Sequence, residues 1–177
     1  MKIKSILISQ PEPANGTSPY HELQDKYNVD IDFYPFIKVE GVTAKEFRRS
    51  KISILKHTAI VMTSRTAIEH FFRLCDELRI EVPAEMKYFC VTEAIALYLQ
   101  KFITYRKRKV FFPKSKDKSF ESLLLKHKNE RYLIPQSNVS KNEFAKTLRK
   151  YKVKFTEATM YMTFYNDLSE LKDVNYY

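Results

Sequence analysis

A chain of 177 residues has room for one ordinary domain or about one and a half smaller ones, and 44% hydrophobic with 14% aromatic residues exclude a disordered segment. With only two glycines, Gly16 and Gly41, against a usual ~7%, the Gly-rich phosphate and dinucleotide loops are excluded too, because they need backbone without a side chain. The net charge of +10, from 31 Lys and Arg against 21 Asp and Glu, suits a polyanionic partner (nucleic acid, anionic lipid or a polycarboxylate) and equally suits a surface that is merely soluble.

The apolar run at residues 3–9 predicts a strand, and residues 10–19, rich in Pro, Asn, Gly and Ser, predict a turn. Residues 20–27 read as a short helix. Residues 31–39 are extended but interrupted by Pro35, which suits an edge or connecting strand. Thr43 and Glu46 have capping-box spacing and predict a helix to about His57. Ala59–Met62 is a compact buried strand. Ser64 then caps a helix to Leu78, with Ala67, Phe71, Leu74 and Leu78 on one face.

Further strands are expected at residues 88–91, 109–112, 132–135 and 153–164, with helices at 93–102 and Phe120–Lys126. Ser140 and Glu143 make a second capping-box spacing, opening a helix to about Tyr151. Helix and strand thus alternate from Thr43 onward, and the strands are solid apolar runs. Both features imply right-handed crossovers and a parallel sheet covered on both faces, an α/β class. Cys75 and Cys90 lack CxxC spacing and read as buried free thiols of a reducing cytosol. Neither a signal peptide nor a membrane-length apolar run is present, so a cytoplasmic protein is expected. The four histidines, His21, His57, His70 and His127, are scattered, and a structural or surface role is expected for each.

Four stretches, in order, resemble the uroporphyrinogen-III synthase family. The first is Ala59 to Ile68 (AIVMTSRTAI), similar to a strand-to-helix element ending in Thr-Ser. Hydroxyl and N–H groups at such a helix start can hold a carboxylate, although taken alone the stretch is better read as a plain N-cap. The second is Phe89 to Leu97 (FCVTEAIAL), where Thr92 replaces the family's glycine and Ile95 a threonine, so Ile95 is left out of the expected site. The third is Tyr132 to Asn138 (YLIPQSN), a strand with a polar loop; Asn and Ser also populate ordinary turns. The fourth is Met160 to Thr163 (MYMT), similar to a Tyr-x-Thr on a return crossover.

The resemblance implies two α/β domains, the second a parallel three-layer domain inserted into the first, with crossover strands at residues 31–39 and 160–165. Residues 1–36 would begin the first domain, 37–160 form the second, and 161–177 return to a first domain that is incomplete here. It implies a cyclising hydro-lyase that closes linear hydroxymethylbilane to uroporphyrinogen III, inverting ring D and losing water. On that basis Tyr161 is the expected catalytic residue, a hydrogen-bond donor to the leaving hydroxyl. Thr63, Ser64, Arg65, Thr92, Ser137 and Asn138 are the expected substrate-binding residues. No metal or organic cofactor, no membrane and no nucleic acid is implied, and a monomer is expected. The basic run from Lys101 to Lys109 would line the cleft between domains or form a solvated face, the second being preferred. Two alternatives stay open: a basic α/β module binding RNA or another polyanion, with Tyr105 among Arg106, Lys107, Arg108 and Lys109, and an inactive scaffold that docks on a partner.

Overall fold

A computed structural model describes residues 4–13, 18–114 and 119–171. Most of the acidic segment at 167–177 lies outside the described residues, as does part of the turn at 10–19. The chain divides into two compact units, residues 1–39 with 163–177, and residues 40–162.

In the first unit, β1 (Ser5–Ile8) and β2 (Asp30–Phe33) form a two-stranded parallel sheet in which Ser5 pairs with Asp30 and Ile8 with Phe33. The helix between them, α1 (Pro19–Tyr27), begins with Pro at its first position and is capped by Ser18, whose side chain accepts the Tyr20 N–H at 3.2 Å. It ends at Asn28, which takes the left-handed conformation at φ 50°. The Tyr20 ring meets Phe33 edge-on at 5.9 Å.

The second unit is an α/β layer structure. Its six-stranded sheet has the order β3 (Ile37–Gly41), β8 (Phe155–Tyr165), β7 (Tyr132–Ser137), β4 (Ala59–Met62), β5 (Lys87–Cys90), β6 (Val110–Phe111). Strands β4, β5, β6, β7 and β8 pair in parallel. Pro35 lies in the break between β2 and β3, and β3 is an edge strand, where a missing N–H costs no ladder bond.

Alternate residues of β4 supply two cores. Ile60 and Met62 pack with α3 (Arg65–Leu78) residues Ala67, Phe71 and Leu74; Ala59 and Val61 pack with Phe89, Leu124 of α5 (Phe120–Lys126), and Phe144 and Leu148 of α6 (Glu143–Lys150). All four β4 residues have no exposure, as a strand covered on both faces requires. Truncating a residue such as Phe71 to alanine would cost about 3–5 kcal/mol.

Three local expectations are corrected. The helix from Thr43 keeps its capping box, with Glu46 N–H to Thr43 Oγ1 at 3.2 Å and Thr43 N–H to Glu46 Oε2 at 2.9 Å. Yet this helix, α2, spans only Ala44–Arg49. Ser50 turns its hydroxyl back onto the Phe47 carbonyl at 2.7 Å, Lys51 goes left-handed at φ 57°, and a single 3₁₀ turn (Ile54–Lys56) follows. The helix after β5, α4 (Glu93–Leu99), likewise stops before Phe102.

Ser140 does not cap α6 at all. Asn142 occupies the cap position without a side-chain cap bond, and Ser140 Oγ instead accepts the Ser137 N–H at 3.0 Å. The hydroxyl found a closer unpaired donor in the turn after β7 than in the helix ahead of it.

Candidate functional site at the carboxyl edge of the parallel sheet

Register decides which of the expected site residues lie together. Met62 pairs with Cys90, and Val91 N–H continues the ladder to the Met62 carbonyl at 3.1 Å. The loops that follow, Thr63-Ser64 and Val91-Thr92, therefore leave the sheet side by side. On the other flank of β4, Ala59 pairs with Tyr132 and Ile60 with Leu133, and extending that register brings Ser137 to the same edge. Ser137 in turn pairs with Tyr161 on β8. Thr63, Ser64, Thr92, Ser137 and Asn138 thus line the carboxyl edge of β7, β4 and β5, and Tyr161, within β8, lies level with it opposite Ser137. In parallel sheets, ligands bind along that edge.

The starts of α3 and α4 on this edge are each capped from their own loop. Ser64 Oγ accepts the Ala67 N–H at 3.0 Å, and Thr92 Oγ1 accepts the Ile95 N–H at 3.3 Å. The Ser137 hydroxyl meets Ser140 Oγ at 3.0 Å and accepts the Val139 N–H at 3.3 Å. These oxygens are engaged as acceptors, so what Ser64 and Thr92 retain for a carboxylate is the hydroxyl proton. Arg65 is exposed and lies over the Tyr98 ring at 5.1 Å, with Lys101 Nζ against the same ring at 4.8 Å. The Tyr98 hydroxyl donates to Glu69, so the two cations and one carboxylate meet around the same ring.

Tyr161 is placed by an irregularity. Gln136 pairs with Thr159 but Ser137 with Tyr161, so β8 carries one extra residue, Met160, at that point. The bulge breaks the alternation of faces, and Met160 and Tyr161 are buried side by side, at 0% and 8% exposure. The Tyr161 ring then stacks on His70 of α3, with centroids 5.0 Å apart and planes 15° from parallel.

His70 belongs to a network absent from the sequence reading. Arg73 donates from Nε to His70 Nδ1 at 3.3 Å and from its terminal nitrogen to the Val42 carbonyl at 2.7 Å, and it forms an ion pair with Glu77. Because Arg only donates, Nδ1 accepts and neutral His70 carries its proton on Nε2. Burial first, and then the Arg73 charge, lower the His70 pKa, so the ring is held in its neutral form. Glu77 also accepts the Ala44 N–H at 3.2 Å, which ties α3 to the start of α2. The helical spacing of His70, Arg73 and Glu77 was legible; their attachment to β8 was not.

The basic run from Lys101 to Lys109 is mostly exposed, in the loop between α4 and β6. Among the described residues, no group of His, Cys, Asp and Glu is placed to hold a metal ion. No described helix is long and apolar enough to cross a membrane.

The family model described as Uroporphyrinogen-III synthase HemD matches residues 18–174. Among solved structures, a mutant uroporphyrinogen III synthase from the extremely thermophilic bacterium Thermus thermophilus superposes with a TM-score of 0.65 at 11% identity, over 92% of this chain and 64% of that one. The uroporphyrinogen-III synthetase of Helicobacter pylori superposes with a TM-score of 0.54 at 15% identity, over 94% of this chain and 64% of that one. At these identities the likeness is one of fold. This chain spans less than two thirds of the length of either structure. Comparison with curated proteins gives no match.

Proposed function

Given that the chain belongs to the uroporphyrinogen-III synthase family, we propose that it binds hydroxymethylbilane and directs its cyclisation to uroporphyrinogen III, with inversion of ring D and loss of water. The reading rests above all on one observation: residues from four separate stretches of sequence meet on the carboxyl edge of one parallel sheet.

The substrate carries an acetate and a propionate on every pyrrole. A protein with a net charge of +10 attracts such a polyanion over long range and raises its encounter rate. Hydroxyl protons of Ser64 and Thr92 and the Arg65 guanidinium then offer donors to the carboxylates. Asn138, in the loop after β7, is a further proposed contact.

In the reaction, the C–O bond of the terminal hydroxymethyl group breaks with a push from the pyrrole nitrogen. The departing hydroxyl leaves as water once it has taken a proton. Tyr161 is proposed to donate a hydrogen bond to that oxygen as negative charge develops on it. The remaining work is orientation, because the cation so formed must be captured at the substituted carbon of ring D for the type-III isomer to result. A phenol held rigid by the His70 stack suits that task, since a misplaced donor loses most of its value.

The test is a coupled assay in which purified protein receives enzymatically generated hydroxymethylbilane and the type-III and type-I products are separated. Type-III product above the enzyme-free control is expected. Type-I product alone would overturn the proposal for this chain.

A further inference from the structure

A pocket of about 660 Å³ lies at the opposite, amino edge of the same sheet, beside His57, Arg131 and the first residues of β8. Its rim carries Lys51, Lys56, Arg131, Arg149, Lys152 and Lys154. Half of its twelve lining residues are Lys or Arg, where the whole chain has 31 in 177, and none is acidic, where the chain has 21. Its floor is apolar, made by Ile52, Val153 and Phe155, with the Arg149 guanidinium 5.2 Å from the Phe155 ring.

Helix ends explain part of this charge and not the rest. Lys51 follows α2, Arg149 lies in the last turn of α6 and Lys152 follows it, so all three sit favourably against the negative end of a helix dipole. Lys56 likewise closes the 3₁₀ turn at Ile54–Lys56, whereas Arg131 and Lys154 stand just before β7 and β8 and directly follow no helix. Arg131 is moreover rooted, its Nε donating to the Lys56 carbonyl at 2.6 Å. Among the described residues, Arg149 is the one rim cation held in an ion pair, with Glu157 at 2.8 Å. Five exposed cations thus border an apolar floor with no ion pair among the described residues to offset them, an arrangement that attracts anions.

We propose that this amino-edge pocket is a second binding site, distinct from the carboxyl edge, for a small multivalent oxyanion with an apolar body. The lysines supply mobile point charges for phosphate or carboxylate groups, and Phe155 with Ile52 supplies the apolar contact. The site stands independently of the cyclisation proposal, since no residue is shared between the two edges.

Backbone geometry provides a clean variant. Lys51 and Lys152 both have left-handed backbone, at φ 57° and 53°, where glycine is at ease and lysine is not. Lys51→Gly with Lys152→Gly removes two rim charges while relieving the fold. Calorimetric titration with inorganic pyrophosphate, and separately with the benzene hexacarboxylate mellitate, distinguishes a phosphate source from a carboxylate one. His57 reports occupancy, because it lines the pocket with Nε2 bonded to Thr156 Oγ1 at 2.9 Å.

At least one probe should bind one-to-one, shift the His57 ring resonances and lose tenfold or more in affinity in the double glycine variant, with melting no lower than in the parent. Lys107→Ala with Arg108→Ala, an equal loss of exposed charge elsewhere, should leave affinity within twofold. Equal losses in both variants, an unmoved His57, or binding only to an RNA oligonucleotide with stoichiometry that grows with its length would overturn the site.

Discussion

Tyr161 and His70 lie face to face, their ring centroids 5.0 Å apart, although one is on β8 and the other on α3. The stack joins the tyrosine to Arg73, Val42 and Glu77 through His70 Nδ1. It gives Tyr161 a fixed orientation that the strand alone would not.

The two residues should separate by assay. Tyr161→Phe keeps the stack and removes the hydroxyl, so melting should stay close to the parent while type-III product falls about 10²-fold, the scale of a lost transition-state donor. His70→Ala removes the ring beneath an intact hydroxyl and should lower both stability and product yield. Unchanged type-III output from Tyr161→Phe would remove the tyrosine from the reaction.

Stability should fall as solutions are acidified through the histidine range. His57, His70 and His127 all have pKa values lowered from 6.5, burial being the leading cause for each. The unfolded chain therefore takes up protons at pH values where the folded chain does not. Their contribution is complete above about pH 6.5 and is lost as pH drops toward the folded values. Melting followed between about pH 8 and pH 5.5 should show a plateau and then a decline, shallower in His57→Gln. A midpoint that rises on acidification would contradict this account.

Gly41 is needed for space. A Cβ there would stand 2.6 to 2.8 Å from the Arg73 guanidinium, which must then leave the Val42 carbonyl or Glu77. Gly41→Ala should cost about 1–2 kcal/mol in denaturant unfolding, the scale of one displaced charged hydrogen bond. In an Arg73→Ala background the glycine substitution should cost almost nothing.

Cys75 and Cys90 should resist thiol reagents. Both are free and buried, and burial pushes each thiol from 9.0 up to about 12. A chromogenic disulfide reagent at about pH 8 should find neither in the native protein and both after denaturation. Rapid native labelling would show that the sheet opens locally.

The Thr43 cap should carry measurable stability. Thr43→Ala removes the acceptor of the Glu46 N–H and half of a closed capping box, and should cost about 1 kcal/mol. Ser140→Ala should leave α6 unaffected and loosen the turn at Ser137 instead, which amide exchange of the Ser137 N–H would register.

What the amino-acid sequence determined by itself was local. The apolar run Ala59–Met62, the Ser64 cap and the 3.6-residue spacing of Ala67, Phe71 and Leu74 identify β4 and α3, because strand and helix periods are properties of neighbouring residues. Alternating helices and apolar strands likewise made a parallel α/β sheet legible, and the four stretches resembling the family carried the residues that meet at its carboxyl edge. Where one side chain had two possible partners, the sequence was ambiguous: Ser140 has the spacing of a cap, yet its hydroxyl went to Ser137. Only the tertiary structure decided the strand order, the extra residue in β8 that pairs Ser137 with Tyr161, the stack on His70, and the meeting of Lys56, Arg131 and Lys154 at one pocket. Each joins residues distant in the chain, and such contacts follow from packing whole elements, which no local period encodes.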